Sequence, residues 1–298
     1  MSVSTTGLLA AGRRLAGLLL ILVSACLLLV NGAYETDLSW VVLCLVSFAA
    51  GLGLLGVSRP LATIWLVYCA GFLLFVKLRL YADDAAPIDT LFDYAIRADM
   101  FLFGGRLPTL EFQDRYYDLG APTPLIVFLV IIWVSYAFVP HAVALLLSMR
   151  MPLSEFRRYV VASLITYYSA VAVAFLLPTA PPWMAGQLGY TRHVYRVGFD
   201  VLTGAESSTY SSTYPIVDGN SVAAMPSLHM GIAVLCALGI GIFGRGFATL
   251  GAVYVVLMGV ALVTLGEHYV IDILAGILLS VLAWRFTRPP AIGRLPGS

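Results

Sequence analysis

The sequence predicts an all-α fold, a polytopic membrane helix bundle, and three observations predict it. The 298 residues are 60% hydrophobic and only 11% charged, with a mean hydropathy of +0.93, far too apolar for a soluble domain of this length. The apolar residues come in runs of about 17–25, the length a helix needs to cross the hydrocarbon core, and do not alternate with polar ones. Short Gly, Pro or Arg breaks separate most runs, as loops between spans require.

About eight transmembrane helices follow in order, near residues 15–30, 39–57, 61–81, 122–148, 157–177, 228–243, 247–265 and 270–287. The first begins after Arg13-Arg14, like the apolar core of a signal peptide. Val30-Asn31-Gly32-Ala33 is a poor small-x-small cleavage site, however, and more membrane follows, so an uncleaved signal anchor is expected. Residues 1–60 then form an N-terminal transmembrane hairpin and residues 61–298 the core, with long connections at 82–121 and 179–227. The net charge of +1 and the lack of a basic block give nucleic-acid binding no electrostatic support. Cys26, Cys44, Cys69 and Cys236 lie inside apolar runs without metal or disulfide spacing and are expected to pack.

Placing the N-terminus in the cytoplasm puts Arg13, Arg14, Arg59, Arg150, Arg157, Arg158, Arg245, Arg285, Arg288 and Arg294 on the cytoplasmic side, ten of the 17 basic residues. The same segments hold one acid of 16, Glu155. By the positive-inside rule both termini are then cytoplasmic. Both long connections and the 266–269 turn face the opposite side.

Two of the four histidines open late spans on that side. Pro226-Ser227-Leu228-His229 begins the sixth; proline at a first helical turn loses no needed hydrogen bond, and the free N–H groups of a helix start suit a phosphate. His268 begins the eighth, with Asp272 four residues on, a spacing that puts both on one helix face. A carboxylate retained in a span costs about 2.5–3.5 kcal/mol on insertion scales and needs a partner. Asp272 is expected to accept a hydrogen bond from one ring nitrogen of His268 and leave the other as nucleophile or base. Because the seventh span returns beside the sixth, His229 and His268 share one membrane face. Transporters tend to bind at the midplane in broken helices instead, which makes a proton-linked His–Asp transporter the competing class.

These residues carry a resemblance. Pro226-Ser227-Leu228-His229 and His268-Tyr269-Val270-Ile271-Asp272 resemble the Pro-Ser-x-His and His-x3-Asp motifs of the type 2 phosphatidic acid phosphatase superfamily. The resemblance implies a six-helix lipid-phosphatase-like core, a membrane lipid as substrate and no metal or other cofactor. It further implies that His268 forms a phosphohistidine, Asp272 orients it, and His229 protonates the leaving oxygen and then activates the acceptor. Ser227 would bind the substrate phosphate. Two motifs of common members are missing: Leu177-Pro178-Thr179-Ala180-Pro181-Pro182-Trp183 contains no Lys or Arg, and Leu262 stands where a Ser-Arg pair would put arginine. The Pro-Pro-Trp segment and the Gly-x-His-Tyr-x2-Asp form are more similar to the inositol phosphorylceramide synthase branch and its bacterial relatives. That branch implies transfer of a phospho-head-group, an inositol phosphate among the candidates; a bacterial plasma membrane is expected, with the site on the outward side to which the arginine count assigns it. Simple hydrolysis of a lipid or polyprenyl phosphate is the alternative.

Phosphoryl transfer needs charge neutralisation, so other cations must serve. Arg192 and Arg196 rank first, ahead of Lys77 and Arg79, for which snorkelling to the interface is expected. His193 reads as a loop residue and His141, beside Pro140, as structural. Ile88, Leu91, Phe92 and Ala95 recur at helical spacing after Asp89-Thr90, which predicts an interfacial amphipathic helix over 88–101. The hydroxyl-rich stretch 206–214 has no helical period and is expected to form a lid or a head-group contact.

Overall fold

Each predicted span but that over 122–148 coincides with a single helix in the computed structural model, which describes residues 5–31, 38–81, 85–118, 122–204 and 222–288. The hydroxyl-rich stretch 206–214 lies outside the described residues. The chain divides into two compact units, Met1–Leu80 and Tyr81–Ser298. The first contains α1 (Thr5–Asn31), α2 (Leu38–Leu54) and α3 (Arg59–Tyr81). Close packing of α1 on α2 depends on small residues, because a Cβ on Gly17 would come within 2.9 Å of the Gly51 carbonyl oxygen.

The second unit holds α4 (Asp93–Leu102), α5 (Pro108–Tyr116), α6 (Pro124–Val134), α7 (Val139–Arg150) and α8 (Leu153–Leu176). Two short helices follow in the second long connection, α9 (Pro182–Gln187) and α10 (Val197–Thr203). The unit ends with α11 (Leu228–Gly241), α12 (Arg245–Thr264) and α13 (Val270–Phe286). Among the described residues α3, α8 and α12 are each long and apolar enough to cross a membrane, and α6 with α7 makes a fourth if the bent pair is one span. α11 packs against α12, α13, α8 and α7. Its apolar core includes Ile126, Leu129, Trp133, Val197, Met230, Met258 and Leu262.

Two segments depart from the sequence prediction. The stretch expected as one span over 122–148 bends by 52° between α6 and α7. Pro140 lacks an N–H and its ring crowds the carbonyl four residues back, that of Tyr136, so the helix breaks there. The break is a 3-10 turn over Ser135–Ala137. Its polar groups find partners: Ser135 Oγ bonds the Ile132 carbonyl at 2.6 Å and lies 3.0 Å from Tyr254 Oη, and Tyr159 Oη donates to the Pro140 carbonyl at 3.0 Å. The helix expected over 88–101 begins at Asp93 instead. The backbone before it is occupied otherwise, since Leu91 N–H donates to the Pro178 carbonyl and its own carbonyl accepts from Ala180 N–H. Ala95, Ile96 and Asp99 form the buried face of α4, while Phe101 is 87% exposed.

Candidate active site

The starts of α11 and α13 cross with almost no clearance. Ser227 caps α11, its Oγ accepting Met230 N–H at 3.3 Å, and its own N–H donates to the Asp272 carbonyl at 2.9 Å. A Cβ on Gly276 would overlap the Ser227 carbonyl oxygen, and one on Gly231 would lie 3.3 Å from the Gly276 carbonyl oxygen. Glycine on both helices is therefore what lets them approach, and that approach brings His229 and His268 together.

His268 is buried, with its Nδ1 3.0 Å from the Ala224 carbonyl oxygen and its Nε2 3.4 Å from His229 Nδ1. A carbonyl only accepts, so the hydrogen-bond pattern assigns the proton of neutral His268 to Nδ1 and leaves a lone pair on Nε2. By the same logic the proton between the rings belongs to His229 Nδ1. Ala224 is held for this role by three adjacent extended segments: its N–H donates to the Thr179 carbonyl at 3.1 Å, and Thr179 N–H donates to the Val222 carbonyl at 2.7 Å.

Asp272 is not the hydrogen-bond partner of the ring. Its Oδ2 lies 3.7 Å from His268 Nδ1, within ion-pair range but beyond a hydrogen bond, and accepts Tyr269 N–H at 2.9 Å. The reason is where the helix starts. α13 begins at Val270 with Tyr269 as its cap residue, so His268 precedes the helix and Asp272 is at its third position. A carboxylate there turns back to the cap N–H. Asp272 is fully buried, and its Oδ1 makes no hydrogen bond among the described residues.

A second carboxylate, unmarked in the sequence reading, meets the same helix end. Asp99, also fully buried, accepts Val270 N–H at 2.8 Å and Ile271 N–H at 2.9 Å. Burial pushes the Asp99 carboxyl above its ordinary range; the two N–H bonds oppose that rise and the Asp272 charge adds to it. The only signal in the sequence was an acid on the apolar face of α4.

His229 stands on an aromatic seat. The Tyr136 ring lies 4.3 Å from it centroid to centroid and Trp133 6.4 Å. Tyr136 is the residue at which Pro140 breaks the helix, so the break delivers this ring to the histidine.

The candidate cations are placed differently from one another. Arg196 is buried, donating from Nε to Glu267 Oε1 at 3.1 Å, with its guanidinium 3.9 Å from the Phe199 ring and 4.3 Å from the Trp183 ring. Glu267 adjoins His268 in sequence, so this cation is anchored at the turn that carries His268. Arg192 instead makes an exposed ion pair with Asp114 at 2.6 Å. Lys77 and Arg79 lie near the end of α3 in the first unit. The His193 ring stacks edge-on against Tyr195, and His141 lies within α7.

Gln113 ties the Arg196 segment to the site. It accepts Tyr195 N–H at 2.9 Å and donates to the Tyr195 and Thr264 carbonyls at 2.9 and 3.1 Å. Gly266 sits beneath, at φ +79° and with a Cβ position 2.6 Å from the Tyr195 carbonyl oxygen, so no other residue fits that turn. Among the described residues no group of three or more His, Cys, Asp or Glu is placed to hold a metal ion.

Residues 116–286, more than half of the chain, match the family profile described as the PAP2 superfamily. The match takes in both histidines, Asp272 and the connection that carries Arg196. No curated protein and no solved structure shows significant similarity to the chain.

Proposed function

This chain belongs to the PAP2 superfamily, and from that premise we propose that it is a lipid phosphotransferase or phosphatase working through a phosphohistidine on His268. Membership carries a phosphatase-type activity on lipid phosphates; the finer reading rests chiefly on one observation, the His268 Nε2 lone pair facing His229 Nδ1 at 3.4 Å. A phosphoryl group entering between the rings meets a nucleophile on one side and an acid on the other. The Nε2–phosphorus bond forms, the phosphorus–oxygen bond to the lipid breaks, and the His229 proton passes to the departing oxygen. His229, which enters as the imidazolium and is now neutral, takes a proton from the acceptor hydroxyl or water, which attacks phosphorus and regenerates His268.

Phosphorylation of Nε2 puts positive charge on the ring, and the buried Asp272 carboxylate offsets it at 3.7 Å without sharing the ring proton. Ser227, whose Oγ accepts from Met230, still has its hydroxyl proton to give to a phosphate oxygen. Arg196 is the favoured cation, because its partner Glu267 adjoins His268, whereas Arg192 pairs with Asp114 at the surface. Tyr269 N–H is taken by Asp272, and Val270 and Ile271 N–H by Asp99, so the donors for the phosphate come from the start of α11 and from Arg196.

The branch assignment is part of the same proposal. The absence of the common cationic motifs favours transfer of a phospho-head-group, an inositol phosphate being one candidate, over plain hydrolysis. The arginine distribution favours a site on the non-cytoplasmic side. The deciding experiment supplies purified protein with phosphatidic acid or phosphatidylinositol labelled in the phosphate, with and without a diacylglycerol or ceramide acceptor. A new labelled phospholipid identifies a transferase and free labelled phosphate a hydrolase; acid-labile, base-stable label on the protein identifies the intermediate. No label and no turnover with any of these lipids would favour the transporter class.

Replacing Arg196 with Ala is expected to lower kcat/KM by about 10²–10³, the loss for removing one transition-state charge donor. The same change breaks the buried ion pair by removing the cation from Glu267, at a cost of about 3–5 kcal/mol. The double variant Arg196→Ala/Glu267→Gln removes that cost and should regain thermal stability without regaining rate. Recovery of both would show that Arg196 only holds the fold.

A further inference from the structure

We propose that Asp99 is a positioning residue for His268, acting from α4 through the start of α13. The inference rests on the reading of His268 as nucleophile, but its geometric content does not. Three consecutive N–H groups, those of residues 269, 270 and 271, point at carboxylates: one at Asp272 and two at Asp99. Asp272 belongs to the helix it caps and moves with it. Asp99 belongs to another element, 171 residues away in sequence, so its two bonds tie the helix start to something outside it.

The positive end of the helix dipole accounts for two buried carboxylates being tolerated so close together. Their placement also has a consequence for the ring. His268 adjoins Tyr269, so any rotation of the helix start swings its Nε2 relative to His229. A second contact from α4 guards the other side of that geometry. Tyr94 Oη lies 2.6 Å from Thr179 Oγ1, and the Thr179 carbonyl accepts the N–H of Ala224, whose own carbonyl takes the His268 proton. Ala95, Ile96 and Leu107 pack with Tyr269, with Ile271 against them, filling the space between α4 and α13. One helix of the first long connection therefore holds both the backbone beside His268 and the acceptor of its ring proton.

The test reads the position of His268 without relying on a substrate. Full-length protein in detergent is treated with diethyl pyrocarbonate, and the rates of His268 and of the exposed His193 are followed by peptide mass spectrometry. Asp99→Ala should raise the His268 rate at least several-fold while His193 is unchanged, and Asp99→Asn, which keeps one acceptor oxygen, should fall between. In phosphatidic acid turnover Asp99→Ala should lower kcat by about 10²-fold with KM within about twofold, as expected for a displaced nucleophile. Asp99→Asn should recover part of that kcat. Normal His268 labelling and normal kcat per phosphorylatable site in either folded variant would overturn the inference. If His268→Ala keeps wild-type turnover, the nucleophile reading fails instead, and the labelling result still decides the positioning.

Discussion

Replacing His268 with alanine should abolish lipid-phosphate turnover, with a loss of about 10⁴-fold or more, and no label should be trapped on the protein. Removing a covalent nucleophile eliminates the path and does not merely slow one step, which is why such losses exceed those for charge donors. The fold should survive. The ring bonds the Ala224 carbonyl and His229 Nδ1, so its removal costs about 1 kcal/mol for each bond plus the loss of some packing. The measurement is turnover of labelled phosphatidic acid by purified protein beside a thermal unfolding curve. Turnover within tenfold of wild type, in a protein that unfolds normally, would sink the mechanism. The partner variant His229→Gln separates the two roles. With p-nitrophenyl phosphate the leaving group needs little protonation, so this variant should still form the phosphohistidine and then fail to discharge it. Label that accumulates on His268 is the expected signature.

Gly276→Ala should be the most damaging small substitution in the second unit. Its new methyl would overlap the Ser227 carbonyl oxygen, a backbone atom that cannot move alone because it also accepts Gly231 N–H at 3.0 Å. Relief requires α11 and α13 to separate. Overpacking of this kind costs about 1–3 kcal/mol, and separation of the two helix starts widens the gap between His229 and His268. A displacement near 1 Å is enough to cost about 10²-fold in rate. Thermal unfolding and turnover should therefore fall together. Gly246→Ala is the control: it lies in helix α12 with nothing within 4 Å of its added Cβ, and should raise stability by up to about 1 kcal/mol while leaving turnover unchanged. Equal behaviour of the two variants would mean that the crossing is more compliant than its contacts indicate.

Much of the architecture was legible before the structure. The α12 and α13 boundaries follow from apolar runs ending at Gly244-Arg245 and Gly266, because span length is imposed by bilayer thickness and chain breaks by local chemistry. The bend between α6 and α7 was visible only as Pro140. What it accomplishes, placing Tyr136 against His229, depends on a helix that arrives from elsewhere in the chain. The predicted start of the α4 region failed for the same reason: Leu91 had a local helical pattern, but its backbone is taken by Pro178 and Ala180.

From the chain alone, then, an all-helical membrane protein was legible, together with His229, His268 and Asp272 as the candidate reacting side chains. Those depend on residue type and on spacing within one or two turns. Only the tertiary structure decided who holds them. The His268 proton goes to the carbonyl of Ala224, 44 residues upstream; the start of α13 goes to Asp99; and Arg196 goes to Glu267 and two aromatic faces. A backbone carbonyl has no residue identity to read. A carboxylate on an apolar face shows only that a partner exists, because in a medium without water that partner is chosen by which elements fold together.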